Sequence, residues 1–135
     1  MIQIVKDTRP WFFLQTTHST YGMRVMETGH LEHLYYGERI TVDTQDSAFC
    51  APLVIQRGFA PGNTCTYDRE HPQISMEDVC LEVGTLGRGD IREPFLEVKF
   101  TDGSVTSDFT FDSYEVITLK EREQCLQASG LPRSY

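Results

Sequence analysis

The 135 residues suffice for one domain or part of one, and 39% apolar with 24% charged residues marks a globular chain rather than a disordered one. Twenty acidic against 12 basic residues leave a net charge of −8, which repels phosphate backbones and anionic bilayers, so nucleic acid and membrane surfaces are excluded as partners. No window holds the ~18 apolar residues that a membrane-spanning helix needs.

Taken in chain order, the sequence predicts strand after strand. Residues 2–5 are a short apolar alternation closed by Asp7-Thr8-Arg9-Pro10. Residues 11–16 are dense in β-formers, and His18-Ser19-Thr20 breaks them. Tyr21, Met23 and Val25 share one face of the next strand, with Arg24 on the other. Glu27-Thr28-Gly29 turns the chain into residues 31–36, and a short β-branched run follows at 40–42. Residues 43–93 are looser, interrupted by Pro52, Gly58, Pro61, Gly62, Asn63, Pro72, Gly84, Gly87 and Gly89. So long an irregular stretch in a compact domain points to function or to an excursion of the chain.

Leu96, Val98 and Phe100 then alternate with Glu97 and Lys99, the period of a half-buried strand. Asp102-Gly103 supplies a turn, and the return arm sets Val105, Ser107, Phe109 and Phe111 on one face, so an antiparallel hairpin is expected. A further strand is expected at 113–118, and one or two helical turns at 120–129 before Gly130 and Pro132. Helical periodicity is absent elsewhere. The fold class is all-β, an antiparallel β-sandwich.

Few residues suggest chemistry. His30 and His33 form an H-x-x-H pair, but on a strand the two point to opposite faces, and zinc requires one face and more ligands. His18 and His71 sit in turn-like, solvated surroundings. Cys50, Cys65, Cys80 and Cys125 make neither a C-x-x-C pair nor a zinc spacing, and read as free thiols. Residues 1–14 lack a secretory leader, so cytoplasmic location is expected. No G-x-S-x-G elbow is present. Among the carboxylates, Asp90 and Glu93 are the pair that most suggests a glycosidase, which needs two flanking the scissile bond. Asp90 and Arg92 at i,i+2 make ion pairing the simpler account. Gly87-Arg88-Gly89-Asp90 is no phosphate loop, since neither G-K-[ST] nor G-x-G-x-x-G follows. Trp11, Tyr35, Tyr36 and Tyr67 are the aromatics able to stack on a sugar.

Several strings together resemble the start of bacterial glycoside hydrolase family 36 α-galactosidases. They are WFFLQT at 11–16, STYGMRV at 19–25, GHLEHLYYG at 29–37, Asn63-Thr64-Cys65 and ISMED at 74–78. GRGDIREP at 87–94 resembles the family's G-x-G-D-[FY]-R-x-P segment, and DGSVTSDF at 102–109 and Gly130-Leu131-Pro132 complete the series. Cys80-Leu81 and residues 124–129 depart from the family's usual residues.

The resemblance implies that residues 1–135 are the first part of an N-terminal β-supersandwich. A catalytic (β/α)8 barrel and a C-terminal β domain would lie outside this chain. Both catalytic aspartates belong to the barrel, so no catalytic residue, metal or cofactor is expected here. The resemblance implies retaining hydrolysis of terminal α-galactosyl groups of melibiose- and raffinose-type galactosides by the whole enzyme. Its implied partners are that substrate, the remainder of the polypeptide and identical subunits of a tetramer, with an N-terminal loop reaching a neighbour's substrate pocket. By position that loop is residues 43–72, with Arg57, Asn63 and Tyr67 as substrate-proximal candidates. The alternatives are a stand-alone carbohydrate-binding β-sandwich module without hydrolase activity, or a small hydrolase using Asp90 and Glu93.

Overall fold

The computed structural model describes residues 1–54 and 66–117. Four strands, β1 (Ile2–Val5), β2 (Trp11–Gln15), β3 (Ser19–Val25) and β4 (Leu31–Glu38), pair antiparallel in chain order as a meander. They fall where apolar and β-branched density is highest, and the turns fall where the polar breaks stand. Gly29, at φ 86, takes the left-handed conformation that starts β4. Between β3 and β4 the register shifts at Gly22/Met23: Gly22 opposes Tyr35 and Met23 opposes His33, so Leu34 is the extra residue of a bulge.

Register assigns the two faces. One carries Val5, Trp11, Phe13, Gln15, Thr20 and Arg24; the other carries Phe12, Tyr21, Met23 and Val25. On the first face Val5, Phe13, Val42 and Cys50 form the core, with Trp11, Ile40, Phe49 and Leu53 packed around it. Burial pushes the Cys50 thiol up to about 11, with Asp7 and Asp46 adding to the shift. The same face seats a buried carboxylate: Arg24 Nε donates to Glu32 at 2.7 Å and its guanidinium lies 5.3 Å from the Trp11 ring. Gly22 lets the sheet close over Phe13, since a Cβ there would stand 3.0 Å from the Phe13 ring. Gly22→Ala is therefore expected to cost about 1–2 kcal/mol by overpacking, read as a lower urea midpoint at unchanged m.

Residues 40–42 are not a strand. The Gln15 amide donates to the Ile40 carbonyl at 2.7 Å, and the Ile40 N–H donates to Thr20 Oγ1 at 3.1 Å. Side chains have taken the place of ladder bonds. A 3-10 helix, Ser47–Leu53, then carries Cys50 onto the sheet, with Asp46 accepting from the Ala48 N–H at 2.8 Å. Within the irregular stretch, residues 47–53 thus supply core rather than excursion.

The opposite face is covered by irregular chain. Phe12 packs edge-on to Tyr114 at 5.0 Å and against Phe111 at 6.0 Å. The outer edge of β4 is capped where the His33 N–H donates to the Cys80 carbonyl (2.7 Å) and the Glu82 N–H to the Leu31 carbonyl (2.9 Å).

The hairpin expected at 96–111 is realised only at its tip. Gly103 has φ 86, and the Phe100 N–H reaches the Ser104 carbonyl at 2.9 Å. The return arm instead bonds elsewhere, from the Ser107 N–H to Leu86 O (3.1 Å) and from the Phe111 N–H to Gly29 O (2.7 Å). A two-stranded ribbon alone is marginal in water, and here competing carbonyls win. Residues 113–117 are likewise not a strand, and the helical turns expected at 120–129 lie outside the described residues. No helix among the described residues is long and apolar enough to cross a membrane. The all-β, antiparallel class stands.

Candidate functional site

The densest polar constellation centres on Asp108. Gly29 and the first residue of β4 bracket His30, whose ring is 3% exposed with both nitrogens engaged: Nδ1 with Thr28 Oγ1 at 2.8 Å, Nε2 with Asp108 Oδ1 at 2.5 Å. The other carboxylate oxygen accepts from the Tyr67 hydroxyl at 2.7 Å and pairs with Arg88 Nε at 3.1 Å. Arg88 lies 4.8 Å over the Tyr67 ring, and His30 meets that ring edge-on at 5.0 Å. One carboxylate therefore joins four separate segments.

Burial raises the Asp108 carboxyl, but hydrogen bonds from His30 and Tyr67 and the charges of His30 and Arg88 outweigh it, and its pKa lies below the usual range. Burial, then the bond to Asp108, raises the Tyr67 phenol against an opposing effect of Arg88. The hydrogen bond that Arg88 donates to the Tyr67 oxygen, and the nearby Asp108 carboxylate, keep Arg88 more firmly protonated against some opposing burial. Asp108 is thus an anion surrounded by donors. Thr28 Oγ1 is the hydroxyl on the other nitrogen of His30, but with that imidazole buried and the carboxylate also held by Tyr67 and Arg88 the cluster reads as a clamp.

A second knot faces Tyr21. Its hydroxyl donates to Glu82 Oε2 at 2.5 Å, and His33 Nδ1 lies 3.2 Å from Glu82 Oε1. Burial, followed by Glu82, pushes the Tyr21 phenol up to about 12. His30 and His33 thus answer to different carboxylates, and no group of three metal-ligating side chains occurs among the described residues.

Asp90 and Arg92 pair as their spacing suggests, in a loop rather than on a strand. Arg92 Nε and Nη2 reach the two carboxylate oxygens at 2.8 and 2.9 Å. The Arg92 bonds, against some opposing burial, hold the Asp90 carboxyl below its ordinary range, the wrong direction for a general acid. Arg92 Nη2 also donates to the carbonyls of Met76, at 3.1 Å, and Val79. His71, expected in solvent, is half-buried, with Nδ1 2.8 Å from Asp68 Oδ1.

Of the three substrate-proximal candidates, Tyr67 belongs to the Asp108 clamp, while Arg57 and Asn63 lie outside the described residues. Sequence reasoning passed over Asp108, Arg88 and Thr28. The available signal was the placement of Arg88 and Asp108 within the two strings GRGDIREP and DGSVTSDF. A groove of about 290 Å3 between β1 and residues 39–42 is lined by Gln3, Gln15, Arg39 and Thr41 but by no aromatic ring.

A family model described as the glycosyl hydrolase family 36 N-terminal domain matches residues 29–135. The chain is 36% identical over 130 residues to the bifunctional alpha-galactosidase/sucrose kinase AgaSK of Mediterraneibacter gnavus, covering 95% of this chain and 13% of that protein. It is 27% identical over 124 residues to alpha-galactosidase AgaA of Geobacillus stearothermophilus, covering 92% and 15%. The crystal structure of the alpha-galactosidase from Lactobacillus brevis matches with a TM-score of 0.69 at 30% identity, over 82% of this chain and 14% of that one. The chain therefore spans 13–15% of the length of these relatives.

Proposed function

This chain belongs to the glycosyl hydrolase family 36 N-terminal domain family, and from that premise we propose that it is the opening, non-catalytic segment of an α-galactosidase. The whole enzyme hydrolyses terminal α-galactosyl groups of melibiose- and raffinose-type sugars with retention, using two aspartates of a downstream barrel. This segment serves folding and assembly. The observation that carries the reading is the family match over residues 29–135 in a chain that spans only 13–15% of its relatives. Leu96, Phe100, Val105, Phe109, Val116 and Ile117 are each 41–53% exposed, which supports a further layer of the sandwich being laid over them.

An immunoblot of the source cells under denaturing conditions tests this. A band several-fold heavier than 15.5 kDa is expected, and a sole band at 15.5 kDa overturns the reading. The full polypeptide should cleave an aryl α-galactoside and sediment as a tetramer.

Residues 43–72 hold the stretch we assign to a neighbouring subunit's substrate pocket, with Arg57, Asn63 and Tyr67 as its candidate contacts. Of these, Tyr67 gives its hydroxyl to Asp108. In the full enzyme, Arg57→Ala and Asn63→Ala are expected to raise KM for raffinose about tenfold, the loss of roughly one hydrogen bond. Unchanged KM in both variants removes this assignment.

The stand-alone module has less support. Trp11 is covered by Arg24, the Tyr35 hydroxyl is spent on Glu38 O at 2.9 Å, and Tyr36 alone of the four aromatics stands open at 73% exposure. Calorimetry with galactosides on the 135-residue chain should show no binding at millimolar sugar.

A further inference from the structure

Residues 87–96 are held firmly yet present two large apolar side chains to solvent. Gly87 and Gly89, at φ 96 and 92, shape the loop. The Asp90–Arg92 pair locks its middle, and Arg92 ties it to the carbonyls of Met76 and Val79. The N–H groups of Phe95 and Leu96 share the Gly84 carbonyl at 3.0 and 3.3 Å. Between these fastenings Ile91 is 85% exposed and Phe95 79%, the two most exposed large apolar side chains of this segment. Leaving either in water forgoes the transfer free energy that burial would return. A knob already ordered binds without the entropic cost of being ordered.

Resting on the α-galactosidase reading above, we propose that Ile91 and Phe95 seat in an apolar pocket on the downstream polypeptide of the same enzyme chain, rimmed by lysine or arginine. More than four-fifths of an enzyme of its relatives' length lies outside this chain, which supplies the surface. Charge selects the occupant. Glu93 and Glu97 flank the knob and are exposed, against one exposed lysine, Lys99, and the guanidinium of Arg92 is already neutralised by Asp90. A second copy docked across a two-fold axis would bring two patches of the same net negative charge together, whereas a cationic rim complements them.

The test uses the full-length enzyme carrying Ile91→Cys, and separately Phe95→Cys, treated with a maleimide and analysed by peptide mass spectrometry. In the native enzyme each introduced thiol is expected to label at least tenfold more slowly than in urea. That protection should persist in the monomer fraction from size exclusion. Labelling of both thiols at the urea rate in an active native enzyme overturns the docking while leaving the family reading intact. Protection that disappears in monomers assigns the knob to a second copy and also overturns it. If the source cells hold only a 15.5 kDa product, the family-enzyme reading fails, and the docking with it.

Discussion

Gly87→Val is expected to destabilise the folded chain by about 3 kcal/mol and to lower its melting temperature by about 10 °C. Two costs add. Gly87 sits at φ 96, where a side chain costs about 1–2 kcal/mol in the backbone, more for a β-branched one. A Cβ there would also lie 2.5 Å from Thr106 Oγ1 and 2.6 Å from its Cγ2, so the return arm must move. Gly103→Val separates the two. It shares the positive φ, at 86, but meets nothing within 4 Å, so it should cost only the backbone share. Equal losses at the two positions would show that the 87–106 contact constrains nothing. Thr106→Ala should rescue part of the Gly87→Val loss and none of the Gly103→Val loss.

The second large effect is at Asp108. Asp108→Ala strands a buried imidazole, a phenol and a guanidinium together, and is expected to cost about 2–3 kcal/mol by chemical denaturation. The figure stays below that of a fully buried pair because Asp108 is 25% exposed and Arg88 39%, so solvent screens part of the interaction. Asp108→Asn, which keeps the shape and loses the charge, should fall between the parent and Asp108→Ala.

The pH dependence follows from the direction of the shift. A carboxyl depressed in the folded state contributes stability that is complete above its unfolded pKa of about 3.9 and is lost as pH falls through the folded value. The gap between parent and Asp108→Asn should therefore persist from pH 7 down to about 5 and close below about 4. A gap that stays open well below about pH 3 would mean that the carboxylate is not the centre of the clamp. Tyr67→Phe removes one donor only and should cost about 1 kcal/mol, without altering that profile's direction.

The sequence by itself determined what is local. Dense β-formers with polar breaks located all four strands to within a few residues, because side-chain alternation and turn chemistry act over the same short span that they specify. The Asp102-Gly103 turn and the Asp90–Arg92 pair were legible for the same reason, each lying within a few residues along the chain. The family was legible too, since it is carried by strings of neighbouring residues read in order.

Tertiary structure decided the rest. His30 and Asp108 meet across 78 residues and Tyr67 and Asp108 across 41, distances over which no periodicity carries information. The 96–111 arms have the alternation of a hairpin, yet Leu86 and Gly29 offer the return arm its acceptors, and only the packed fold brings those carbonyls near. Residues 40–42 read as a strand until the side chains of Gln15 and Thr20, set by the register of β2 and β3, took their hydrogen bonds. Backbone donors and acceptors are indifferent to sequence, so which of them pair is settled by what packing places within 3 Å of one another.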